Sequence, residues 1–324
     1  MRYLLLLMIL CPVEAMAASI LIIESYHREY QWDKNYNEGI ISILGSEHDY
    51  HHSYLDTKRV PQSMFANRAE SAWEAYKKLK PDLVVLGDDN AIKLLNERFK
   101  KSHTPVVFLG LNTNPRTYDI HNHKNFTGVL ERPLFKRSLL LANQLLIAKA
   151  EKKFLVIFDN SKTSIASLEQ ISPSLDSITM GRVSLDFVLT SNFSSWKTNI
   201  SGAKDAGYDA IFVGLYHTVH DESGEHLPAE EVISWTQKNA SLPHFGFWEF
   251  TIGAEKNIGG YVLDGYLHGQ HAGRQIKQIL EGASPGSLPL VSDRKGLYLF
   301  SKSGIERWKI KLPEKISKSA KWVD

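Results

Sequence analysis

Short, continuous apolar runs recur along this chain, and a stretch with helical periodicity follows each of them. That alternation restricts the fold more than any other feature. Ser19 to Ser25 reads as a strand buried on both faces, because its apolar residues run on without polar alternation. Lys34 to Leu44 follows as a helix with Tyr36, Ile40, Ile43 and Leu44 on one side, and His51 to Asp56 as the next strand. From Ser63 to Lys80, residues Phe65, Ala69, Ala72, Trp73, Tyr76 and Leu79 recur at three- and four-residue spacing, which predicts a helix that Pro81 ends. Strands at Asp82 to Gly87 and Pro105 to Gly110 flank a helix from Asn90 to Lys101. This β-α-β-α-β order implies a parallel, doubly wound sheet.

A second round begins after a strand-like segment at Asn125 to Leu130 and a helix from Leu134 to about Ala148. Strands are expected at Lys153 to Phe158, Arg182 to Leu189, Asp209 to Gly214 and Pro243 to Trp248. Helices are expected at Lys162 to Leu175 (interrupted by Pro173), Ser194 to Ala206 and Ala229 to Ala240. Two α/β halves account for this better than one barrel, which needs eight even units and leaves the break from Gly128 to Pro133 unexplained. The lysine-rich tail from Ser301 to Asp324 reads as a solvated helix and a frayed end.

The N-terminus carries the pattern of an export signal. Arg2 supplies a basic start, Leu4 to Leu10 an apolar core, and Ala15-Met16-Ala17 small residues before a cleavage point at Ala18. Residues 1–17 are therefore expected to be a cleaved signal peptide, and the mature protein to be soluble, periplasmic and monomeric. Leu10 stands where lipid attachment at Cys11 would need a small residue. Cys11 is the single cysteine, so the mature chain would have no disulfide, thiolate metal site or cysteine nucleophile. A net charge of +2 argues against a nucleic-acid partner.

In doubly wound sheets, ligands sit at the carboxyl ends of the strands. Following each predicted strand outward gives Ser25, Tyr26 and Trp32, then Asp88, Asp89 and Asn90, then Asn112. The second half gives Asp159 and Asn160, Tyr216 and His217, and Trp248 and Glu249. Short hydrogen-bonding residues, aromatics and carboxylates together suit a small polar ligand held by side chains and stacking. For Asp88, Asn112 and Asp159 a helix-capping role explains the residue equally well.

Three stretches carry a resemblance: Tyr54-Leu55-Asp56-Thr57-Lys58-Arg59, Pro81 to Ala91, and Phe245-Gly246-Phe247-Trp248-Glu249 with Gly259-Gly260-Tyr261-Val262-Leu263-Asp264-Gly265. They are similar to the substrate-binding-protein family of ABC importers, in a branch that also serves as the extracytoplasmic part of bacterial sensors. The resemblance spans about Ile20 to Pro289. It implies the type I periplasmic binding protein fold: two doubly wound lobes joined by three hinge crossovers, with a ligand clasped between them. Lobe 1 would comprise residues 18–128 and 259–282, and lobe 2 residues 129–258 and 283–324. Gly253, Gly259 and Gly260 fit hinge positions, and Asp264 would face the cleft. The partners implied are a small solute and either a membrane permease or a membrane signalling receptor. No cofactor and no catalytic residue is expected.

Two rival chemistries deserve comparison. His217, His220, Asp221 and His226 lie within ten residues, which would suit zinc, although the spacing is not that of a helical metal-binding motif. A solvated polar loop accounts for the same residues. No nucleophile elbow and no phosphate-binding glycine loop is present. If Asp88, Asp89, Asp159, Glu249 and Asp264 line one cleft, its field favours an amine-bearing solute over a phosphate or dicarboxylate.

Overall fold

A computed structural model describes residues 17–146 and 149–324. The expected leader therefore lies outside the described residues except for Ala17, as does the end of the helix expected to reach Ala148. The first half builds β1 (Ser19–Glu24), α1 (Gln31–Leu44), β2 (Asp49–Tyr54), α2 (Phe65–Leu79), β3 (Leu83–Gly87), α3 (Asp88–Lys100), β4 (Val106–Leu111) and β5 (Phe126–Leu130). The second builds α4 (Phe135–Leu145), β6 (Lys152–Phe158), α5 (Lys162–Glu169), β7 (Ile178–Met180), β8 (Val183–Leu189), α6 (Phe193–Gly202), β9 (Ala210–Val213), α7 (Ala229–Asn239) and β10 (His244–Gly246). The remainder is β11 (Gly259–Val262), α8 (Gly265–Leu280), β12 (Val291–Ser292), β13 (Leu297–Ser301), α9 (Lys302–Arg307), α10 (Glu314–Ser319) and β14 (Lys321–Val323).

The strands form a six-stranded parallel sheet ordered β12-β5-β4-β3-β1-β2 and a five-stranded sheet ordered β10-β9-β6-β8-β7. β3 and β4 are buried along their whole length, as continuous apolar strands covered on both faces must be. One face of the first sheet packs beneath α2 and α3 through Ala69, Ala72, Ile92, Leu95 and Phe99. On its other face α1 and α8 lie side by side. They approach so closely that a Cβ at Gly39 would strike the Tyr266 carbonyl, and one at Gly269 the Tyr36 carbonyl. Only glycine admits such contact between helix backbones.

Several details differ from the sequence expectation. The second sheet is mixed, because β7 adds antiparallel to β8. The helix expected to run to Leu175 stops at Glu169, ahead of the Pro173 that disfavours helical geometry at the residue before it. The tail is no frayed end: β14 pairs with β13, and Trp322 packs on the Phe300 ring at 6.0 Å. That pairing is invisible in a lysine-rich local sequence.

The lobe boundaries also shift. β11, expected to return to the first lobe, pairs antiparallel with β13 in a separate three-stranded sheet, and only α8 returns to pack on α1. β12 joins the first sheet beside β5, so the last crossover follows Ser292 rather than Ala283. The three connections between lobes are thus the segments after β5, after β11 and after β12. Close packing accounts for the glycines at 259 and 260: a Cβ on Gly260 would lie 2.5 Å from the Gly246 carbonyl oxygen, and one on Gly259 would meet the Phe300 ring.

Candidate functional site

In the first sheet, strand order reverses between β1 and β3, so crossovers leave to opposite faces and a crevice opens above that boundary. Tyr26 follows β1 and Asp88 follows β3 at this point, while Lys58 sits in the loop after β2. The second sheet reverses between β6 and β9, and Leu215 lies just beyond β9. The two sets of carboxyl ends face each other across an inner pocket. Tyr26, Tyr30, Trp32, Lys58, Asp88 and Asn112 line it from the first lobe and Thr163 and Leu215 from the second. Glu131 lines it from the connection after β5, and Phe250 from the loop between β10 and β11.

The pocket is tightly drawn, with about 10 Å³ open to a water-sized molecule. A wider pocket of about 410 Å³ lies at its mouth, walled by His27, Tyr30, Lys58, Tyr216, His217 and Phe250, among others. The lobes touch on both sides of the inner pocket. At the mouth, the Tyr30 hydroxyl is 3.5 Å from His217 Nε2 and the two rings meet edge to face. On the other side, Ser167 Oγ donates to Asn112 Oδ1 at 2.8 Å, and Gln170 Nε2 to the Asn112 carbonyl at 3.2 Å. These contacts close the inner pocket on two sides.

Charge inside the pocket is mixed. Asp88 is 2 % exposed, adopts a left-handed φ of 66°, and its Oδ2 has no hydrogen-bond partner among the described residues. Burial, reinforced by Asp33, Glu131 and Asp89, holds its carboxyl well above the usual carboxylate range. The Glu131 carboxylate accepts from Trp248 Nε1 at 2.6 Å, and burial pushes its pKa up to about 7. Lys58 places its ammonium 4.2 Å from the Tyr26 ring centre and 4.9 Å from that of Tyr30. Burial lowers the Lys58 pKa against the pull of Asp159, Asp88, Asp33 and Glu131.

Of the residues singled out in the sequence, the structure brings Tyr26, Trp32, Asp88 and Asn112 to the inner pocket, and Tyr216 and His217 to its mouth. The other eight line neither pocket, and their side chains are engaged elsewhere. Ser25 Oγ donates to the Gly87 carbonyl at 2.6 Å and accepts from Ala91 N at 2.8 Å, tying β1 to the start of α3. Asp89 accepts from the amides of Asn112 and Thr113, and Asn90 donates to Thr57 Oγ1. Asp159 accepts from Ser161, Ser164 and Thr218 N, while Asn160 pairs with Ser191. Trp248 is buried behind Phe250; Glu249 accepts from Asn35 and Gly265 N. Asp264 is the N-cap of α8. These are corrections. For Ser25, Asp89, Asp159, Glu249 and Asp264, the polar side chain near a strand end satisfies nearby backbone amides. Asn90 and Asn160 bond side-chain hydroxyls, and Trp248 packs in the core.

Tyr30, Lys58, Glu131, Leu215 and Phe250 also line the pocket without being singled out in the sequence, and Thr163 follows the same strand end as Asp159. The strand-end rule, applied also to β2 and β5, finds Lys58 and Glu131; Tyr30 and Phe250 sit in loops and carry no local signal. In the histidine-rich loop, His226 Nε2 meets the His217 carbonyl oxygen and His220 Nδ1 that of Asp221. Among the described residues, no group of three or more histidine, cysteine or acidic side chains is arranged to hold a metal.

No known family pattern matches the sequence, and no curated protein matches it. Solved structures do match. An ABC domain from Streptococcus pneumonia in complex with L-Trp superposes with a TM-score of 0.67 at 18% identity, covering 95% of this chain and 100% of that one. A conserved domain protein from Vibrio cholerae gives 0.70 at 17% identity, with the same coverage of 95% and 100%. A ligand-free, open substrate-binding protein with adhesive properties from Clostridium difficile gives 0.66 at 13%, covering 95% and 99%. The chain has the type I periplasmic binding protein fold. None of the described helices is long and apolar enough to cross a membrane.

Proposed function

We propose that this protein is a periplasmic solute-binding protein that closes its two lobes on a small amine-bearing molecule and delivers it to a membrane ABC permease. The observation that carries the reading is Asp88: a buried carboxylate with a free oxygen, at the strand-order reversal, in an aromatic-walled pocket that both lobes line. Tyr26, Tyr30, Trp32 and Phe250 offer ring faces to a cation or an apolar body. Asp88 supplies the acceptor for an ammonium. The lobe contacts at Tyr30–His217 and Ser167–Asn112 supply closure, and solute that bridges the lobes shifts the equilibrium by its preference for the closed form.

Thermal-shift measurements with a panel of amines and a panel of dicarboxylates, followed by small-angle scattering on any solute that stabilises, test this. Amines should raise the melting temperature and contract the molecule. Stabilisation by dicarboxylates alone refutes the amine class. Turnover of any solute refutes the binding role. Permease and ATPase genes beside this gene would support delivery, and a receptor gene with a periplasmic domain would instead make the closed form a signal.

A further inference from the structure

We infer that the solute is a zwitterion, with Lys58 the anchor of its carboxylate and Asp88 the anchor of its ammonium. The inference rests on the solute-binding reading and names the ligand class of that same pocket.

One basic and one acidic side chain line the inner pocket, yet they do not pair with each other. Asp88 Oδ2 has no donor, and no hydrogen bond or ion pair engages Lys58 Nζ among the described residues. The ammonium rests instead over the faces of Tyr26 and Tyr30, with no hydrogen-bond acceptor among the described residues. Other buried charged groups differ: Asp33 also lacks a hydrogen-bond partner on either carboxylate oxygen among the described residues, whereas several find partners. Asp89 takes donors from Asn112 and Thr113, Asp159 from Ser161, Ser164 and Thr218, and the buried Lys152 donates to Asn143 Oδ1 and the Lys149 carbonyl. A half-buried donor and a buried acceptor left open in one pocket are complementary to a molecule that carries both charges.

The electrostatics point the same way. A simple amine entering this pocket meets Lys58, and a simple carboxylate meets Asp88 together with Glu131 and Asp33 nearby. Each brings one favourable and one unfavourable contact into a low-dielectric space. A zwitterion satisfies both and adds no net charge. Between the anchors, Trp32, Tyr30 and Phe250 would pack on the solute's apolar portion.

The test uses the twenty standard amino acids, the amines made by removing their carboxyl group, and the acids made by removing their amino group. Isothermal titration should find binding by one or more amino acids, with the matching amine and acid each weaker by about thirtyfold or more. K58M keeps the length of the side chain without its charge. It should lose about the same factor for the amino acid while its weak affinity for the matching amine holds or improves, which also shows that the pocket is intact. D88N should show the mirror pattern, losing amino-acid and amine affinity but not that for the acid. The inference is overturned if the amine binds wild-type protein as tightly as the amino acid, if K58M leaves amino-acid affinity unchanged, or if no amino acid binds. If no amino acid binds but another small solute contracts the lobes, the clamshell reading stands and only the zwitterion falls. If nothing in a general metabolite library binds, both fall.

Discussion

Replacing Ser167 with alanine isolates the energetics of lobe closure. Ser167 lies on α5 of the second lobe with no exposed surface, and Asn112, at the end of β4 in the first, is 2 % exposed. The hydroxyl is 2.8 Å from Asn112 Oδ1 and equally 2.8 Å from the Thr163 carbonyl of its own helix. One proton cannot serve both at once. When the lobes part, the hydroxyl retains its helical bond and Asn112 meets water, so the open form loses little on substitution. In the closed form the variant leaves Asn112 Oδ1 buried without a donor, which costs about 1–2 kcal/mol. The ratio of closed to open molecules should therefore fall roughly 5- to 30-fold. Cysteines introduced at the exposed positions Glu97 and Lys204, one on each lobe, would carry probes for interlobe distance, read as a shift toward longer separations without solute. Melting temperature should change little, because the bond does not hold either lobe together. An unchanged distance distribution together with unchanged solute affinity would show that this contact does not govern closure.

Three other outcomes follow from the packing and the buried charges. His244 is fully buried with Nδ1 2.9 Å from Asn257 Oδ1, and burial brings its pKa down to about 4. The unfolded chain takes up the proton first, so stability present above pH 6.5 is lost as pH falls toward 4, by about 3 kcal/mol. Denaturant titrations across that range should show the loss, and H244Q should flatten it. Glu249 behaves with the opposite sign: burial raises its pKa to about 8, so the folded form holds the proton more tightly and stability declines as pH rises from about 4.5 through 8. In E249Q the melting temperature should lose that decline, and a slope identical to wild type would count against the assignment. Gly87→Ala drives a Cβ into the Tyr36 hydroxyl beneath the first sheet, which should cost about 1–3 kcal/mol in urea unfolding. An alanine variant as stable as wild type would mean that Tyr36 moves freely.

Much of the fold was legible because parallel strands buried on both faces leave an unbroken apolar signature. β1, β3, β4, β6 and β9 all stand within a residue or two of their expected places. Elements that depend on distant partners were not. β7 and β14 are three-residue strands with partly exposed side chains, and only the neighbouring strand makes them strands. The site was half legible. The strand-end rule reached Tyr26, Asp88 and Asn112 because the chain must emerge there. The same rule overcounted Ser25, Asp89 and Asp159, since it cannot tell a carboxylate facing a ligand from one facing a backbone amide.

The sequence alone determined the alternation of strand and helix, and with it a doubly wound architecture, because burial on two faces and on one face demand different apolar periods. Only the tertiary structure decided which polar groups remain open. Lys58 and Asp88 are 30 residues apart in the chain and belong to different crossovers. Strand order puts them in one pocket, where the Lys58 ammonium lies over two tyrosine rings and Asp88 Oδ2 has no partner among the described residues. Whether a buried charge is satisfied depends on every neighbour within a few ångströms, and the pocket's lining comes from eight separate segments of the chain.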